Sequence, residues 1–414
     1  MDKNESLAEI TNRHCLCQTL DKNKLQAQLE KQINFETLFH DRPNLFSQTT
    51  IYISKEDLKK IEITIESLEA VIKTQSFKDK VLKLSPTVAL NDFAPHGVFM
   101  GYDFHLTKAG PKLIEINTNA GGGFLNLILA KAQVACCEGI KQPFDLMTLE
   151  NKFWEMFLAE WKLQRGDAAL TSIAIIDENP QAQYLYPEFQ LFSELFKKSG
   201  IECLILNPQD LILKEGELWF EAKKIDMIYN RSTDFYFESS LYAAIKEAYV
   251  SGKVVATPNP HHHALYANKL NLEILTNPAC LTELKIDSSI IENLQEGIPK
   301  TIRLTPENEK ELWEGRRNYF FKPASGFGSK AAYRGDKITL KVWKEINSAV
   351  YVAQEIARPG IRVVQVGEEQ SELKLDIRAY TYDGKIQLLA SRLYAGQTTN
   401  FRTLGGGFAP VFLL

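Results

Sequence analysis

Three residues with oxygen-bearing side chains, Asp103, Glu115 and Asn117, have the spacing of a metal site on two paired strands. Residues 98–106 (VFMGYDFHL) alternate apolar and polar side chains, TKAG predicts a turn, and residues 111–117 (PKLIEIN) predict the returning strand. Side chains two apart on a strand share a face, so Glu115 and Asn117 point the same way, with Asp103 on the partner strand. Two carboxylates and a carboxamide suit Mg²⁺ or Mn²⁺, which take oxygen ligands. The alternative is an exposed amphipathic hairpin whose acidic groups face water.

Lys322 ends an apolar strand and precedes a flexible segment, PASGFGS, that can fold over phosphates. Glycine and serine leave backbone N–H groups open to an anion, and the lysine adds a positive charge. The pattern K-P-x-x-G-x-G also occurs in many ordinary hairpins. Gln354, Glu355 and Ile356 end a later strand and are candidate contacts for an adenine edge. The candidate phosphate contacts are Lys322, Ser325, Gly326, Gly328 and Ser329.

Two arginines and an aspartate lie on a predicted hairpin over residues 373–396, with Asp-Gly at its turn. Asp376 and Arg378 share one face of the first strand, and Arg392 lies on the returning strand. Two guanidinium groups in a cleft can hold a transferring phosphoryl group or an acyl phosphate, and we assign Asp376 to the same nucleotide site. The alternative is a surface salt bridge between Asp376 and Arg378.

Arg231 follows a predicted strand over residues 225–231 (IDMIYNR), at the carboxyl end where ligands commonly lie in open α/β sheets. The alternative is a capping arginine in a loop. His261, His262 and His263 also attract attention as metal ligands. Three consecutive side chains cannot all face one ion, and no carboxylate is spaced to help them, so a metal site there is disfavoured.

The elements that must position these residues are read from periodicity. Residues 54–74 have apolar side chains at helical spacing, with Ser54 as N-cap. After Gly166, strands and helices alternate without a G-x-G-x-x-G turn, which predicts a parallel sheet covered by helices rather than a dinucleotide site. The other predicted helices span residues 12–32, 124–137, 149–165, 186–200, 239–252 and 261–277.

The overall composition is that of an ordinary globular protein. The chain has 414 residues, 24% charged and 44% hydrophobic, a length that predicts two or three domains. Its net charge is −4, so we expect no nucleic-acid partner. Six cysteines show no metal-ligand spacing, with Cys136 and Cys137 predicted to be buried thiols, which favours a reducing compartment. No signal region and no apolar run near 18 residues is found, so we expect a cytoplasmic protein without a membrane partner.

The sequence resembles ATP-grasp ligases in two segments. GYDFHLTKAGPKLIEINTNAGG (101–122) is similar to their metal-binding strand pair, with the "D … E-x-N" signature and a spacing like that of RimK-type ligases. DIRAYTYDGKIQLLASR followed by TNFRTLGGG is similar to the DIR-containing hairpin and basic loop of the same ligases. In RimK-type ligases this loop leads directly to the metal motif, whereas here the metal motif comes first. The resemblance therefore implies a circular permutation, as in eukaryotic-type glutathione synthetases.

That resemblance implies roles for several residues. Lys269, in YANKLNLEIL, resembles the first nucleotide lysine, and Lys322 the second. Residues 354–356 would form the adenine hinge, and Arg231 resembles the arginine of the substrate domain. Two departures are visible: the SGFGS loop lacks the acidic metal ligand of eukaryotic glutathione synthetases, and Gly101 stands where they have an arginine. We therefore expect a metal site closer to the ordinary ATP-grasp pattern, and glutathione is not implied as product.

The resulting expectation is an α/β (α+β) ATP-grasp fold, circularly permuted, with an inserted parallel-sheet substrate domain. The predicted divisions are residues 1–165, 166–260 and 261–414. The expected activity is an ATP- and Mg²⁺-dependent carboxylate–amine (or thiol) ligase that forms an acyl phosphate, with Arg378 and Arg392 stabilising charge. Expected partners are small-molecule carboxylates and amines, and a second copy of the chain through the apolar 124–165 helices. The alternatives are a nucleotide- or partner-binding module without catalysis and a phosphotransferase.

Overall fold

The protein is described by a computed structural model that covers residues 5–30, 33, 35–134, 139–326 and 331–414. Four residues named above lie outside the described residues: Gly328 and Ser329 of the phosphate loop, and Cys136 and Cys137.

Helices and strands are both distributed along the whole chain. The described helices are α1 (Leu7–His14), α2 (Lys22–Leu29), α3 (Phe35–Asp41), α4 (Lys55–Ile72), α5 (Gln75–Leu82), α6 (Gly123–Lys131), α7 (Leu149–Arg165), α8 (Tyr186–Lys198), α9 (Ala243–Val250), α10 (Pro260–Tyr266), α11 (Leu270–Leu275), α12 (Pro278–Glu283), α13 (Ser288–Gly297), α14 (Glu309–Glu314) and α15 (Leu340–Asn347). The described strands are β1 (Ile51–Ile53), β2 (Met100–Thr107), β3 (Gly110–Asn117), β4 (Ser172–Ile176), β5 (Glu202–Leu206), β6 (Ile212–Lys214), β7 (Glu217–Phe220), β8 (Lys223–Lys224), β9 (Met227–Asn230), β10 (Val255–Thr257), β11 (Thr301–Arg303), β12 (Tyr319–Pro323), β13 (Tyr333–Arg334), β14 (Tyr351–Glu355), β15 (Gly360–Val366), β16 (Glu369–Tyr382), β17 (Lys385–Tyr394) and β18 (Gly407–Leu413).

A seven-stranded sheet forms the centre of the molecule. Its order is β1-β18-β17-β16-β2-β3, with β15 also paired to β16. The early hairpin β2–β3 and the late hairpin β16–β17 are joined by antiparallel pairing of β2 with β16, which sets Asp103 opposite Arg378. Residues far apart in sequence therefore meet in one sheet, as a circular permutation requires. The permutation itself remains a prediction.

The hairpin β2–β3 forms where the alternation of side chains predicts it. Tyr102, Phe104 and Leu113 are buried and pack with α4 in one hydrophobic core, so the apolar face of the hairpin is covered by that helix. The N-terminus of α4 is fixed by Ser54, whose side chain accepts from the backbone N–H of Asp57 while the Asp57 side chain accepts from that of Ser54. Both the strand pair and the Ser54 cap match the sequence prediction, and the opposite face of the hairpin is left for polar groups.

A second sheet, β10-β9-β4-β5, is parallel throughout. All five residues of β4 are buried, because α8 packs on one face of the sheet and α9 lies on the other. This arrangement confirms the parallel sheet predicted after Gly166.

A smaller antiparallel sheet, β11-β14-β12-β13, has its own apolar core. Phe321 packs there against Trp343 and Ile346 of α15. The opposite face of this sheet lies over the central sheet, so the two sheets enclose a cleft between them.

Two predicted helices are wrong in the same way, because each is broken. The predicted helix over residues 12–32 is interrupted between α1 and α2, where the Asp21 side chain caps α2 by accepting from the Lys24 N–H at 3.0 Å. The predicted helix over residues 261–277 is interrupted between α10 and α11. Lys269 lies at that break, where its backbone N–H donates to the Ala324 carbonyl at 3.0 Å. At the first break the Asp21 backbone N–H also donates to the Ala132 carbonyl at 3.0 Å, so a contact with a distant segment accompanies both breaks.

The apolar helices of the 124–165 region are used inside the chain. In α6 every residue from Gly123 to Ala130 is buried, and α7 buries Phe153, Phe157 and Trp161 in the same core. Because these apolar side chains are buried within the chain, their apolarity does not itself indicate a dimer surface. The homodimer through this region stays a prediction. Among the described residues, no helix combines the length and apolarity that crossing a membrane requires.

Candidate functional site

Two adjoining spaces contain most of the predicted site residues. The first cleft, of about 340 Å³, lies between the central sheet and the smaller sheet. The second pocket, of about 390 Å³, lies beside it, below the carboxyl ends of β4 and β9. The two share Glu115, Asn117, Lys269 and Gly326. The predicted residues that line the first cleft are Asp103, Glu115, Asn117, Lys269, Lys322, Gly326, Gln354, Glu355, Ile356, Arg378 and Arg392.

Three predicted residues lie elsewhere. Asp376 is fully buried behind Arg392 and does not line either space. Arg231 lines the second pocket, as expected for a residue of a substrate-binding region. Ser325 is exposed and lines neither space.

Two lysines bring positive charge into the first cleft. Lys322 Nζ, on β12, donates to the Ile114 carbonyl and to Gln354 Oε1, both at 2.7 Å. Its removal from water lowers the pKa of Lys322 to about 8, although the Glu115 carboxylate opposes that shift. Lys269 Nζ lies 3.1 Å from Glu115 Oε1 and donates to the Gly326 carbonyl at 3.1 Å. The break between α10 and α11 thus delivers a second ammonium group to the same cleft.

Arg378, Arg392 and two aspartates form a buried ion-pair network in the floor of the first cleft. Asp103, only 1% exposed, accepts from Arg378 Nε at 2.6 Å and Nη2 at 2.7 Å, and from Arg392 Nη2 at 2.8 Å. Burial alone would raise the pKa of Asp103, but the two guanidinium groups outweigh it and lower the pKa to about 2.

Asp376 pairs with Arg392, not with Arg378. Arg392 Nε donates to Asp376 Oδ1 at 3.0 Å and Nη2 to Oδ2 at 2.8 Å, because the two residues stand directly opposite each other on β16 and β17. The Thr399 hydroxyl also donates to Asp376 Oδ2, at 2.8 Å. The alternative of an isolated Asp376–Arg378 salt bridge is therefore not what the fold contains.

The predicted metal ligands come together on one face of the hairpin. Asp103 stands opposite Glu115 in the strand register, and Asn117 Nδ2 donates to Asp103 Oδ2 at 3.0 Å. Burial raises the pKa of Glu115, but Lys269 and Lys322 outweigh it, so the net shift is downward and the carboxylate is ionised. Among the described residues, no cluster of three or more histidine, cysteine, aspartate or glutamate side chains is arranged to hold a metal ion.

The donor set nevertheless fits Mg²⁺ of the kind that is shared with a substrate. Glu115 lines both spaces, and Asn117 keeps its Oδ1 for a cation because its Nδ2 is used by Asp103. Protein sites for Mg²⁺ usually supply one or two such oxygens and leave the rest to phosphates and water. Glu115 and Asn117 meet that requirement.

The predicted adenine hinge is already part of the small sheet. Gln354, 2% exposed, uses its side chain to accept from Lys322 and to donate to Thr301 Oγ1 at 3.3 Å. The backbone N–H groups of Glu355 and Ile356 donate to the carbonyls of Lys300 and Asn318, both at 2.9 Å. Residues 354–356 line the cleft together with Phe320 and Ile114, and their contact with a base stays a prediction.

Besides Lys269, the second pocket has the buried cation of Arg231, with acidic groups facing it. Arg231, 7% exposed, donates through Nη1 to Asn119 Oδ1, while its Nε is buried without a hydrogen-bond partner in the described part of the chain. Asp177 lies at the end of β4, and burial raises its pKa to about 6 against the opposing effect of Arg231. Phe235 and His263 form a wall, with their rings stacked 3.9 Å apart. The unpaired Nε of Arg231 is the kind of group that a bound anion satisfies.

The glycine-rich turn after β3 positions the residues between the two spaces. Gly122 has φ +95°, and a Cβ there would lie 2.3 Å from the Phe408 ring. The N–H groups of Gly122 and Phe124 donate to the buried Glu188 carboxylate at 2.8 and 2.9 Å. Asn119, earlier in the turn, donates through Nδ2 to the Ser232 carbonyl at 2.9 Å. Gly122 is thus required by its positive φ and by its close packing against Phe408 of β18.

Several residues of the site were not identified from the sequence. Asp177 ends β4 at the same sheet edge where Arg231 follows β9, so the rule on strand ends that found Arg231 could also have found it. Tyr184, which lines the second pocket, stacks on Phe401, which lines the first cleft, with their ring centroids 5.1 Å apart. No sequence pattern marks that pair, since its members are more than two hundred residues apart.

Comparison with known proteins finds solved structures with a similar fold but no sequence match. No protein-family model matches the sequence, and no curated protein matches it. In structure, the chain is similar to a glutathione synthetase-like effector of Globodera pallida in its apo form, with a TM-score of 0.56 and 13% identity over 96% of this chain and 100% of the other. It is also similar to a gamma-glutamylcysteine synthetase-like protein of Methylobacillus flagellatus, with a TM-score of 0.50 and 11% identity over 87% of this chain and 89% of the other. These similarities cover most of the chain and confirm the predicted ATP-grasp-like, mixed α/β fold.

Proposed function

We propose that this protein is an ATP- and Mg²⁺-dependent ligase that joins a carboxylate to an amine or thiol through an acyl phosphate. The observation that carries the proposal is the junction of the two spaces, where Glu115, Asn117 and Lys269 face both the first cleft and the second pocket. A phosphoryl donor on one side and an acceptor on the other would meet at these residues.

The first cleft suits the nucleotide. Lys269 and Lys322 would neutralise phosphate oxygens, and Phe320 and Ile114 offer apolar surface to a base. Glu115 and Asn117 would hold Mg²⁺, which neutralises phosphate charge when it is bound. The fold supports this assignment, since the two similar structures are named as a glutathione synthetase-like effector and a gamma-glutamylcysteine synthetase-like protein.

The second pocket suits the acceptor. The buried Arg231 has an Nε without a hydrogen-bond partner among the described residues. Its guanidinium can bind an anionic group of the substrate, which would satisfy that donor. Asp177, with its pKa raised to about 6, can take up a proton from an incoming amine near neutral pH.

The chemistry follows from this arrangement. An oxygen of the substrate carboxylate forms a bond to the γ-phosphorus as the bond to the β–γ bridging oxygen breaks, giving an acyl phosphate and ADP. Arg378 and Arg392, which line the first cleft, would stabilise the charge on the transferring group. The amine or thiol then attacks the acyl carbon, loses its proton, and phosphate leaves. No nucleophilic side chain of the protein is consumed, so no Ser-His-Asp or Cys-His constellation is needed.

The test is ADP release from Mg·ATP with pooled cellular carboxylates and amines, with hydroxylamine as a trap. Formation of a hydroxamate together with ADP would support the ligase and would allow the acid to be identified by fractionation. A stable phosphorylated product without hydroxamate would favour a phosphotransferase. ATP binding without either product, across all fractions, would favour a nucleotide-binding module without catalysis.

A further inference from the structure

We propose that Asp103 is a positioning residue that holds Arg378 and Arg392 in place, and that it does not bind the metal ion. The inference rests on the proposed function, because it divides the predicted Asp103–Glu115–Asn117 trio into one counter-ion and two metal ligands. It is carried by the hydrogen bonds that Asp103 already makes.

Both oxygens of the Asp103 carboxylate already accept hydrogen bonds from buried groups. Oδ1 accepts from Arg378 Nε at 2.6 Å, and Oδ2 accepts from Arg378 Nη2 at 2.7 Å, Arg392 Nη2 at 2.8 Å and Asn117 Nδ2 at 3.0 Å. Oδ2, which has two lone pairs, is shared by three donors, and Oδ1 lies against the Arg378 guanidinium, so a metal ion would meet a positive group at either oxygen. With only 1% of the residue exposed, a metal ion would have to displace a guanidinium from a buried, charge-assisted pair.

The geometry also explains how Asp103 holds Arg378 and Arg392 in position. Arg378 and Arg392 are both cations that line the first cleft, and alone they would repel each other. Asp103 lies between them, and Asp376 holds the outer side of Arg392 at 2.8 and 3.0 Å. All these hydrogen bonds use Nε and Nη2, and in the described part of the chain none is made by Nη1 of either arginine. The Nη1 groups are therefore available for the oxygens of a transferring phosphoryl group.

Glu115 differs from Asp103 in each of these respects. Its side chain is 30% exposed and lines both spaces, and it pairs with the Lys269 ammonium, which can move to a phosphate. A bound metal ion can therefore take the place of Lys269 on Glu115 without breaking the arginine network.

The experiment compares Asp103→Asn with Asp376→Asn as a matched control, since both aspartates are buried and both hold Arg392, but only Asp103 faces Glu115. Mn²⁺ dissociation constants are measured by electron paramagnetic resonance with saturating ADP, and ATP and ADP affinities by calorimetry. We expect both variants to keep Mn²⁺ affinity within about threefold, because the carboxamide oxygen at position 103 can still accept from Asn117. We expect both variants to lower the affinity for ATP about tenfold and the affinity for ADP less, because the arginines contact the γ-phosphate, which ADP lacks.

Glu115→Gln separates this inference from the proposed function. This substitution should lower the Mn²⁺ affinity at least tenfold. An unchanged Mn²⁺ dissociation constant would overturn the metal site of the proposed function itself. If Asp103→Asn weakens Mn²⁺ tenfold or more while Asp376→Asn does not, the inference is overturned and the proposed function stands. If Asp103→Asn fails to fold, the double variant Asp103→Asn/Arg378→Gln removes one charge of each sign, and retained Mn²⁺ affinity in it supports the inference while a tenfold loss overturns it.

Discussion

The Lys269 ammonium and the Glu115 carboxylate lie 3.1 Å apart at the boundary between the first cleft and the second pocket. Each is the natural partner of a different part of a bound Mg·ATP, the lysine of a phosphate oxygen and the glutamate of the metal ion. In the protein without nucleotide they neutralise each other. Binding would exchange this one ion pair for two new contacts, one for each group.

Lys269→Met should weaken ATP binding about 10- to 100-fold, since a charge-assisted hydrogen bond contributes about 1.5–3 kcal/mol. The fold should be kept, because the backbone N–H of residue 269 still bonds to Ala324. Calorimetric titration with Mg·ATP measures the effect. Lys341→Met, an exposed lysine of α15, is the control and should bind ATP like the unchanged protein; equal affinities in the two variants would remove Lys269 from the nucleotide site.

ATP affinity should fall as the pH rises through about 8. Removal from water lowers the pKa of Lys322 to about 8, so the side chain is charged below that pH and neutral above it. Only the charged form attracts phosphate, and bound phosphate raises the pKa again, so affinity is highest below pH 8 and weakens toward pH 9.5. Titrations from pH 6.5 to 9.5 should show a decline that is absent in Lys322→Met. A decline of the same size in that variant would assign the pH dependence to another group.

Arg231→Lys should weaken binding of the carboxylate substrate without changing the affinity for ATP. A lysine keeps the charge but loses the planar, two-point donor geometry, so we expect the KM for the carboxylate to rise about 10- to 100-fold. The ATP dissociation constant should stay within about twofold because Arg231 does not line the first cleft. Hydroxamate formation against acid concentration gives the first value and calorimetry the second. The exposed Arg317→Lys serves as the control, and a parallel loss of ATP affinity in Arg231→Lys would contradict the division into two spaces.

Gly122→Ala should destabilise the fold by about 3 kcal/mol or more. The residue has φ +95°, and the added Cβ would lie 2.3 Å from the Phe408 ring, so backbone strain and a clash in the core add together. Gly200→Ala is the matched control, because Gly200 also has a positive φ, of +79°, but its Cβ would meet open space; strain alone should cost about 1 kcal/mol there. Urea unfolding of both variants measures the difference. Equal losses would show that Phe408 can move aside.

The parts of the site that could be predicted are those fixed by local pattern. The alternation of side chains over residues 98–117 places Asp103, Glu115 and Asn117 on one face, and the structure has them there. Ser54 and its capping box are likewise a matter of four neighbouring residues. Local spacing is enough wherever both partners lie in the same strand pair or helical turn.

The partners of those residues were beyond local pattern. Asp103 has the sequence context of a metal ligand, and its contact with Arg378 joins residues separated by 275 positions. The break that places Lys269 in the cleft is fixed by the Ala324 carbonyl, while the apolar spacing of residues 261–277 indicates an unbroken helix. In each case the deciding contact comes from a distant segment that the local sequence does not specify. The sequence could therefore predict that Asp103 and Lys269 belong to the site, but not the role of each residue there.

The pairing of β2 with β16 also has a consequence for how the chain is made. A ribosome adds about 5–20 residues per second, so the 275 residues between Asp103 and Arg378 take about 14–55 s to appear. Throughout that interval β2 has only β3 beside it, and a lone two-stranded hairpin is marginal in water. Its outer edge presents unpaired N–H and C=O groups to other chains. The β2 edge is therefore paired, and the arginine–aspartate network assembled, only near the end of synthesis.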